Sequence, residues 1–298
     1  MRRRGCVISP PALRPGSVVA AFAGSSPFDA TLVWRGLGWL SERYRVVFEH
    51  GMFTRDGYLA GNDDRRAAEL VRWLEDDRVE AVIAARGGYG LSRIVDRVDW
   101  ARFAAHPKWI VGFSDVTALH VEAARVGVRS IHGPNVAGVG RADVWTRDRF
   151  VASLESPDAP LAWMGLAPLV PGVAEGPLVG GNLTLLHACA AAGRLLIPEG
   201  AVLLLEDVTE RPYRIDRMLT TLSSHLARAS AIVLGEWTDC PPGPDRVTVE
   251  QVLRERLSGL GVPVVFGAPV GHGRWNAPVV LGRRVQVDAA AGVVHGSS

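Results

Sequence analysis

Lysine is nearly absent from this chain of 298 residues, and arginine carries the positive charge. With 33 basic and 31 acidic residues the net charge is only +2. No charge excess therefore points to nucleic acid or to an anionic membrane surface. Cysteine is also scarce: Cys6, Cys189 and Cys240 are odd in number and widely spaced. Without a Cys-x-x-Cys pair, neither a disulfide framework nor a zinc ribbon is suggested. No apolar run approaches the ~20 residues that a membrane span needs. Repeats and low-complexity tracts are missing, as are the Gly-x-Gly-x-x-Gly and Walker patterns of nucleotide sites. Arg2-Arg3-Arg4 ahead of an apolar stretch is faintly like a twin-arginine export signal. Pro10, Pro11, Arg14 and Pro15 interrupt it, and what remains is short for such a signal. Residues 17–23 are expected to form the first buried strand, and the location is expected to be cytoplasmic.

What the chain does contain is ordinary globular material, 48% hydrophobic and 21% charged. In the first half strands and helices alternate. Strands are expected at 17–23, 45–48, 80–84, 109–111 and 129–132. Helices are expected at 29–42, 63–76, 91–98 and 115–126. In the 63–76 helix Ala67, Leu70, Val71 and Leu74 share one face, with the charges on the other. This alternation predicts a parallel sheet covered on both faces, with any working site beyond the carboxyl ends of its strands. Residues 140–176 have weak periodicity and read as a crossing, with a hairpin bordering the site. The second half predicts helices at 183–192, 215–227 and 247–260, and strands at 201–205, 231–234 and 264–266. Short strands are expected around Leu281-Gly282-Arg283-Arg284. The expected fold is α/β, with an N-terminal parallel-sheet, Rossmann-like domain and a smaller C-terminal α/β domain with a β-rich end. The expected boundaries are 1–140, a crossing at 141–176, and 177–298.

One stretch organises the rest. Trp109-Ile110-Val111 is a short apolar strand, Gly112-Phe113-Ser114-Asp115 comes next, and helical spacing begins at once. Such a turn can hold a serine hydroxyl at the end of a sheet, beside the first open N–H groups of a helix. Ser114 or Asp115 is alternatively a helix cap. A nucleophilic serine needs a base, and the base needs an orienting carboxylate. His272, between two glycines on a loop, is the best-placed base. His120 is too close in sequence, and His132 and His187 are weaker rivals. Glu206 and Asp207 close the apolar strand Leu203-Leu204-Leu205. Either can orient a histidine, cap the next element, or pair with Arg217. Arg86-Gly87-Gly88-Tyr89-Gly90 succeeds another strand, and its glycines suit an oxyanion hole or a phosphate nest.

Taken in order, these residues resemble the LD-carboxypeptidase family of serine peptidases. That family includes murein tetrapeptide carboxypeptidases and the microcin C immunity peptidases. The blocks carrying the resemblance are Ala60-Gly61-Asn62-Asp63-Asp64-Arg65, Arg86-Gly87-Gly88-Tyr89-Gly90, Gly112-Phe113-Ser114-Asp115 with Thr117-Ala118-Leu119, Gly180-Gly181-Asn182-Leu183, Glu206-Asp207 with Tyr213 and Asp216-Arg217, and Gly271-His272. The resemblance implies a triad of Ser114, Glu206 and His272, with the serine on one domain and the other two on the next. It implies an oxyanion hole from the backbone N–H groups of Gly88 and Asp115. Arg86 is a candidate for gripping a substrate carboxylate. No metal or cofactor is implied; a small peptide is the partner, and a homodimer is expected. Two substrates compete, a murein tetrapeptide losing D-alanine and an aminoacyl nucleotide. For the latter, Trp145, Trp163 or Trp275 are the aromatic candidates. An α/β-hydrolase is disfavoured because Val116 replaces the second glycine of Gly-x-Ser-x-Gly. A two-lobed small-ligand binding protein, with Ser114 a mere cap, is the alternative of another class.

Overall fold

The buried strand Val18–Phe22 (β1) lies one strand in from an edge of the first sheet. It pairs in parallel with Arg45–Val47 (β2) on one side and Ala81–Ala84 (β3) on the other. Trp109–Gly112 (β4) pairs in parallel with β3, and Ser130–His132 (β5) with β4. Val279–Leu281, from far down the chain, closes the six-stranded sheet beside β5. Every residue of β3, β4 and β5 is buried, as a parallel sheet covered on both faces requires. The covering helices begin where the sequence supplies caps. Asp29, Asn62, Asp99, Asn135 and Asp143 each accept a hydrogen bond from a first-turn amide. Trp109 is fully buried, and its indole N–H donates to the Pro11 carbonyl at 2.8 Å, fixing the start of β4.

The computed structural model describes residues 7–296; Arg2-Arg3-Arg4 and Cys6 lie outside the described residues. Two units emerge, Met1–Asp158 with Ala277–Val280, and Ala159–Asn276 with Leu281–Ser298. The second holds an eight-stranded mixed sheet. Its strands are Ala162–Met164 (β6), Ala167–Val170 (β7), Val173–Asn182 (β8), Ala201–Val208 (β9), Ala229–Thr238 (β10) and Val264–Phe266 (β11). Arg284–Asp288 and Val293–Gly296 complete it. β8, β9, β10 and β11 run in parallel, and β7 and Arg284–Asp288 are antiparallel additions.

Four expectations are modified. The weakly periodic stretch 140–176 is regular: it holds the helix Val144–Glu155, whose Phe150 and Leu154 are fully buried, and then β6, β7 and the start of β8. Short strands and a half-buried helix carry too little periodicity to be read from sequence. The expected 91–98 helix is instead two 3₁₀ turns, Leu91–Arg93 and Val95–Arg97. Residues 277–280 lie with the first unit, not the second. Finally, the charged face of Asp63–Glu75 is not all solvated, since Arg66 and Glu69 are buried. Among the described residues no helix is long and apolar enough to cross a membrane.

Candidate active site

Ser114 sits where β4 gives way to a 3₁₀ turn, Ser114–Val116, leading into the helix Thr117–Arg125. Its φ is +63°, the left-handed region that a serine seldom occupies. Such a conformation costs of order 1–3 kcal/mol and persists only where the surroundings impose it. Neither Ser114 nor Asp115 caps the helix, which starts from Val116 without a side-chain cap bond. Asp115 instead points into the core, fully buried. Its Oδ2 accepts from the Ser25 hydroxyl at 2.6 Å and from the Leu91 N–H at 2.9 Å. Burial pushes its carboxyl up to about 6 despite those two bonds.

The glycine loop runs directly past the serine. A Cβ on Gly87 would lie 2.8 Å from Ser114 Cβ and 3.0 Å from its Oγ, so only glycine lets the backbone approach this closely. Gly88 has φ +113°, and a Cβ there would collide with the Ser26 hydroxyl. That hydroxyl accepts from the Tyr89 N–H at 3.2 Å. Arg86 is exposed, and its Nη1 donates to the Pro27 carbonyl at 2.7 Å.

The structure also separates Glu206 from Asp207. Successive residues of a strand face opposite ways. Glu206, fully buried on β9, presents Oε2 to His272 Nδ1 at 2.7 Å. Asp207 turns the other way. It accepts from Asn182 Nδ2 at 3.0 Å, from the Thr184 N–H at 2.9 Å and from the Thr184 hydroxyl at 2.8 Å. It thereby fastens the start of the helix Leu183–Ala191 to β9, and burial pushes its carboxyl up to about 6. His272 is carried by a loop after β11 whose preceding residue, Gly271, has φ +121°. A Cβ on Gly271 would lie 2.7 Å from Glu206 Oε2, so the loop can close over the carboxylate only with glycine there.

Residues 19–133 match the LD-carboxypeptidase N-terminal domain and residues 175–287 its C-terminal domain. The chain belongs to the LD-carboxypeptidase family. It is a serine-type carboxypeptidase by that membership. A putative carboxypeptidase of Streptomyces coelicolor is 39% identical, over 97% of this chain and 96% of its own. The murein tetrapeptide carboxypeptidase of Pseudomonas aeruginosa is 36% identical, over 75% and 77%. The crystal structure of muramoyltetrapeptide carboxypeptidase from Oxalobacter formigenes superposes with a TM-score of 0.84 at 29% identity, covering 93% of this chain and 97% of that one. A structure of MccF in complex with glutamyl sulfamoyl guanosine shares the fold, with a TM-score of 0.86 at 22% identity over 96% and 97%.

In this LD-carboxypeptidase the other histidines have separate work. His120 is buried, with Nε2 2.9 Å from the Gly112 carbonyl and Nδ1 2.8 Å from the Ser130 hydroxyl. Burial pushes it down to about 3, so the ring is neutral. A neutral ring that donates from Nε2 to the carbonyl accepts the Ser130 proton at Nδ1. His120 thus secures the strand end before Ser114. The His132 ring is buried 6.1 Å from both His120 and Phe113. His187 borders a hollow of about 420 Å³ with Glu210, Tyr213, Arg214 and Arg217. Arg217 lies over the Tyr213 ring rather than on Asp207, which takes its bonds from Asn182, Thr184 and Val208. Of the three tryptophan candidates, Trp163 is buried in β6, whereas Arg149 lies over Trp145 and Arg274 over Trp275. Sequence reading missed Ser25, Ser26 and Arg66, because a lone serine pair and an arginine inside a charged helix carry no signal of burial.

Proposed function

We propose that this enzyme hydrolyses the bond between an L-configured centre and a C-terminal D-residue, releasing D-alanine from a murein tetrapeptide. Ser114 is the nucleophile, His272 its base, and Glu206 the residue that orients the imidazole. The observation carrying this reading is the pair formed by His272 Nδ1 and Glu206 Oε2 at 2.7 Å, with a glycine loop folded over the carboxylate. The strained backbone of Ser114 adds a second support. A carboxylate on Nδ1 fixes the proton there and leaves Nε2 as the basic nitrogen. Nε2 takes the Ser114 hydroxyl proton as Oγ attacks the amide carbonyl. Glu206 stabilises the imidazolium, which then gives its proton to the leaving amine. Water, activated by the same nitrogen, hydrolyses the acyl-enzyme.

The tetrahedral oxyanion is received by the backbone N–H groups of Gly88 and Asp115. Removing such a donor typically costs about 10²–10³ in rate. Arg86 is assigned to a carboxylate of the substrate, which suits its exposed guanidinium. The murein assignment rests on relatives of that name at 34% and 36% identity. The likeness to MccF is that of a related branch. A cytoplasmic location and a homodimer belong to this proposal as well, and light scattering of the purified chain tests the latter.

The deciding experiment is D-alanine release from a murein tetrapeptide by the parent and by Ser114→Ala. Release by the parent alone, with the variant folded, supports the assignment. Equal release by both removes Ser114 as nucleophile. Release by neither shifts the substrate toward an aminoacyl nucleotide amide, which is the assay to run next.

A further inference from the structure

The block Ala60-Gly61-Asn62-Asp63-Asp64-Arg65 and the buried Arg66 take no part in the chemistry described above, yet they converge beneath the glycine loop. Arg66 is fully buried, and its Nη1 donates to the Gly24 carbonyl and, at 2.9 Å, to the Gly90 carbonyl. Its Nε donates to the Gly61 carbonyl at 3.1 Å, and its Nη2 pairs with Asp63. The Ala60 N–H donates to the Ser25 carbonyl at 2.9 Å. The Ser25 hydroxyl and the Leu91 N–H both reach Asp115 Oδ2. The Ser26 hydroxyl takes the Tyr89 N–H. Gly24-Ser25-Ser26 and Tyr89-Gly90-Leu91 are therefore joined through three intermediaries: an arginine, a carboxylate and a hydroxyl. The carboxylate belongs to the residue directly after Ser114.

We propose that Arg66, Asp115, Ser25 and Ser26 are positioning residues that hold the Gly88 N–H in register with Ser114 and so set the dimensions of the oxyanion hole. This inference rests on the assignment of the Gly88 and Asp115 N–H groups as oxyanion donors. The need is physical. Oxyanion donors must lie within about 2.7–3.1 Å of where the charge develops. A misplacement of about 1 Å can cost about 10² in rate. A loop reading Arg-Gly-Gly-Tyr-Gly has little intrinsic preference for one conformation. Its geometry must come from outside, and these bonds supply it. Stability alone is a poor reason for the arrangement, because buried charges are often replaceable by apolar groups at little cost. All of these side chains act through the backbone of the loop and the turn, and none is assigned a contact with substrate.

The test uses Ser25→Ala, Ser26→Ala, Asp115→Ala and Asp115→Asn. For each, kcat and KM for D-alanine release from a murein tetrapeptide are measured, together with the rate of inactivation by a fluorophosphonate and the thermal midpoint. Inactivation places a developing charge in the same hole and does not depend on the identity of the peptide. We expect Ser25→Ala and Ser26→Ala to lower kcat about tenfold and Asp115→Ala about a hundredfold, with KM within about twofold of the parent. Inactivation slows in parallel. Asp115→Asn, which keeps an acceptor for Ser25 and Leu91, recovers most of the loss. Folded Ser25→Ala and Ser26→Ala with kcat and inactivation rate within about twofold of the parent would overturn the proposal, even if Asp115→Ala does not fold. So would a rise in KM at unchanged kcat. An active Ser114→Ala variant is a different outcome: it removes the nucleophile assignment on which the inference rests.

Discussion

His272 Nδ1 and Glu206 Oε2 stand 2.7 Å apart, one on a glycine-flanked turn and the other fully buried in a strand. A carboxylate so placed fixes the tautomer and, in the proposed mechanism, compensates the charge that His272 gains during attack. Glu206→Gln keeps an acceptor but removes the charge. We expect kcat to fall by about 10²–10⁴ with KM little changed, the upper end being the loss seen when a triad acid is neutralised. Steady-state D-alanine release measures this. Activity within about tenfold of the parent would show that Glu206 does not serve the base.

Gly271 and Gly267 offer a paired comparison on the loop that carries His272. Both have positive φ, +121° and +95°. A Cβ on Gly267 meets nothing within 4 Å, whereas one on Gly271 meets Glu206 Oε2 at 2.7 Å. Gly267→Ala therefore incurs backbone strain alone, a loss of about 1 kcal/mol in stability with activity retained. Gly271→Ala incurs the same strain and also displaces the carboxylate, so activity should fall at least about a hundredfold. Denaturant midpoints and kcat, measured on both, separate the two effects. Equal activities in the two variants would contradict the close packing of Gly271 on Glu206.

These contrasts also explain what was legible in the sequence. The parallel sheet was readable because strands such as β3 and β4 are apolar on both faces, and caps such as Asp29 and Asn62 mark the helix starts. Ser114 and His272 stood out because glycines flank them or precede them closely. Glu206 and Asp207 were not separable, since the choice depends on which face of β9 looks toward the His272 loop, and both residues are buried. The inward turn of Arg66 was hidden for a related reason. Its partners are the carbonyls of Gly24, Gly61 and Gly90, and a backbone carbonyl leaves no mark in a sequence. The segment 140–176 was opaque because its strands are short and edge-like, with exposed residues such as Met164.

Glu69 makes a pH prediction with a definite sign. It accepts from the Ala23 N–H and from Arg65, yet burial pushes its carboxyl up from 4.5 to about 7. Between these values the native state holds a proton that the unfolded chain has released. Stability therefore falls as pH rises through this window. Asp115 and Asp207, each raised to about 6, act in the same direction. Glu69→Gln removes the largest of these contributions while keeping an acceptor for Ala23. The stability of the parent relative to this variant should decline by roughly 3 kcal/mol from about pH 4.5 to about pH 7, at about 1.4 kcal/mol per unit. Urea unfolding at a series of pH values reads the difference. A parent-to-variant gap independent of pH would mean that Glu69 is ionised throughout.

Arg86 separates binding from chemistry. Its guanidinium is exposed, and one nitrogen is tied to the Pro27 carbonyl, which leaves other donors of the planar fork for a carboxylate. A charged hydrogen bond contributes about 1.5–3 kcal/mol when protected from water, and less at an exposed position. Arg86→Ala should accordingly raise KM for a murein tetrapeptide about tenfold, with kcat within about threefold. The same substitution should matter little for an analogue whose free carboxylates are amidated, because the group that Arg86 is proposed to recognise is then gone. A fall in kcat at unchanged KM would assign Arg86 to the shape of the glycine loop rather than to the substrate. An equal rise in KM for the amidated analogue would point the same way.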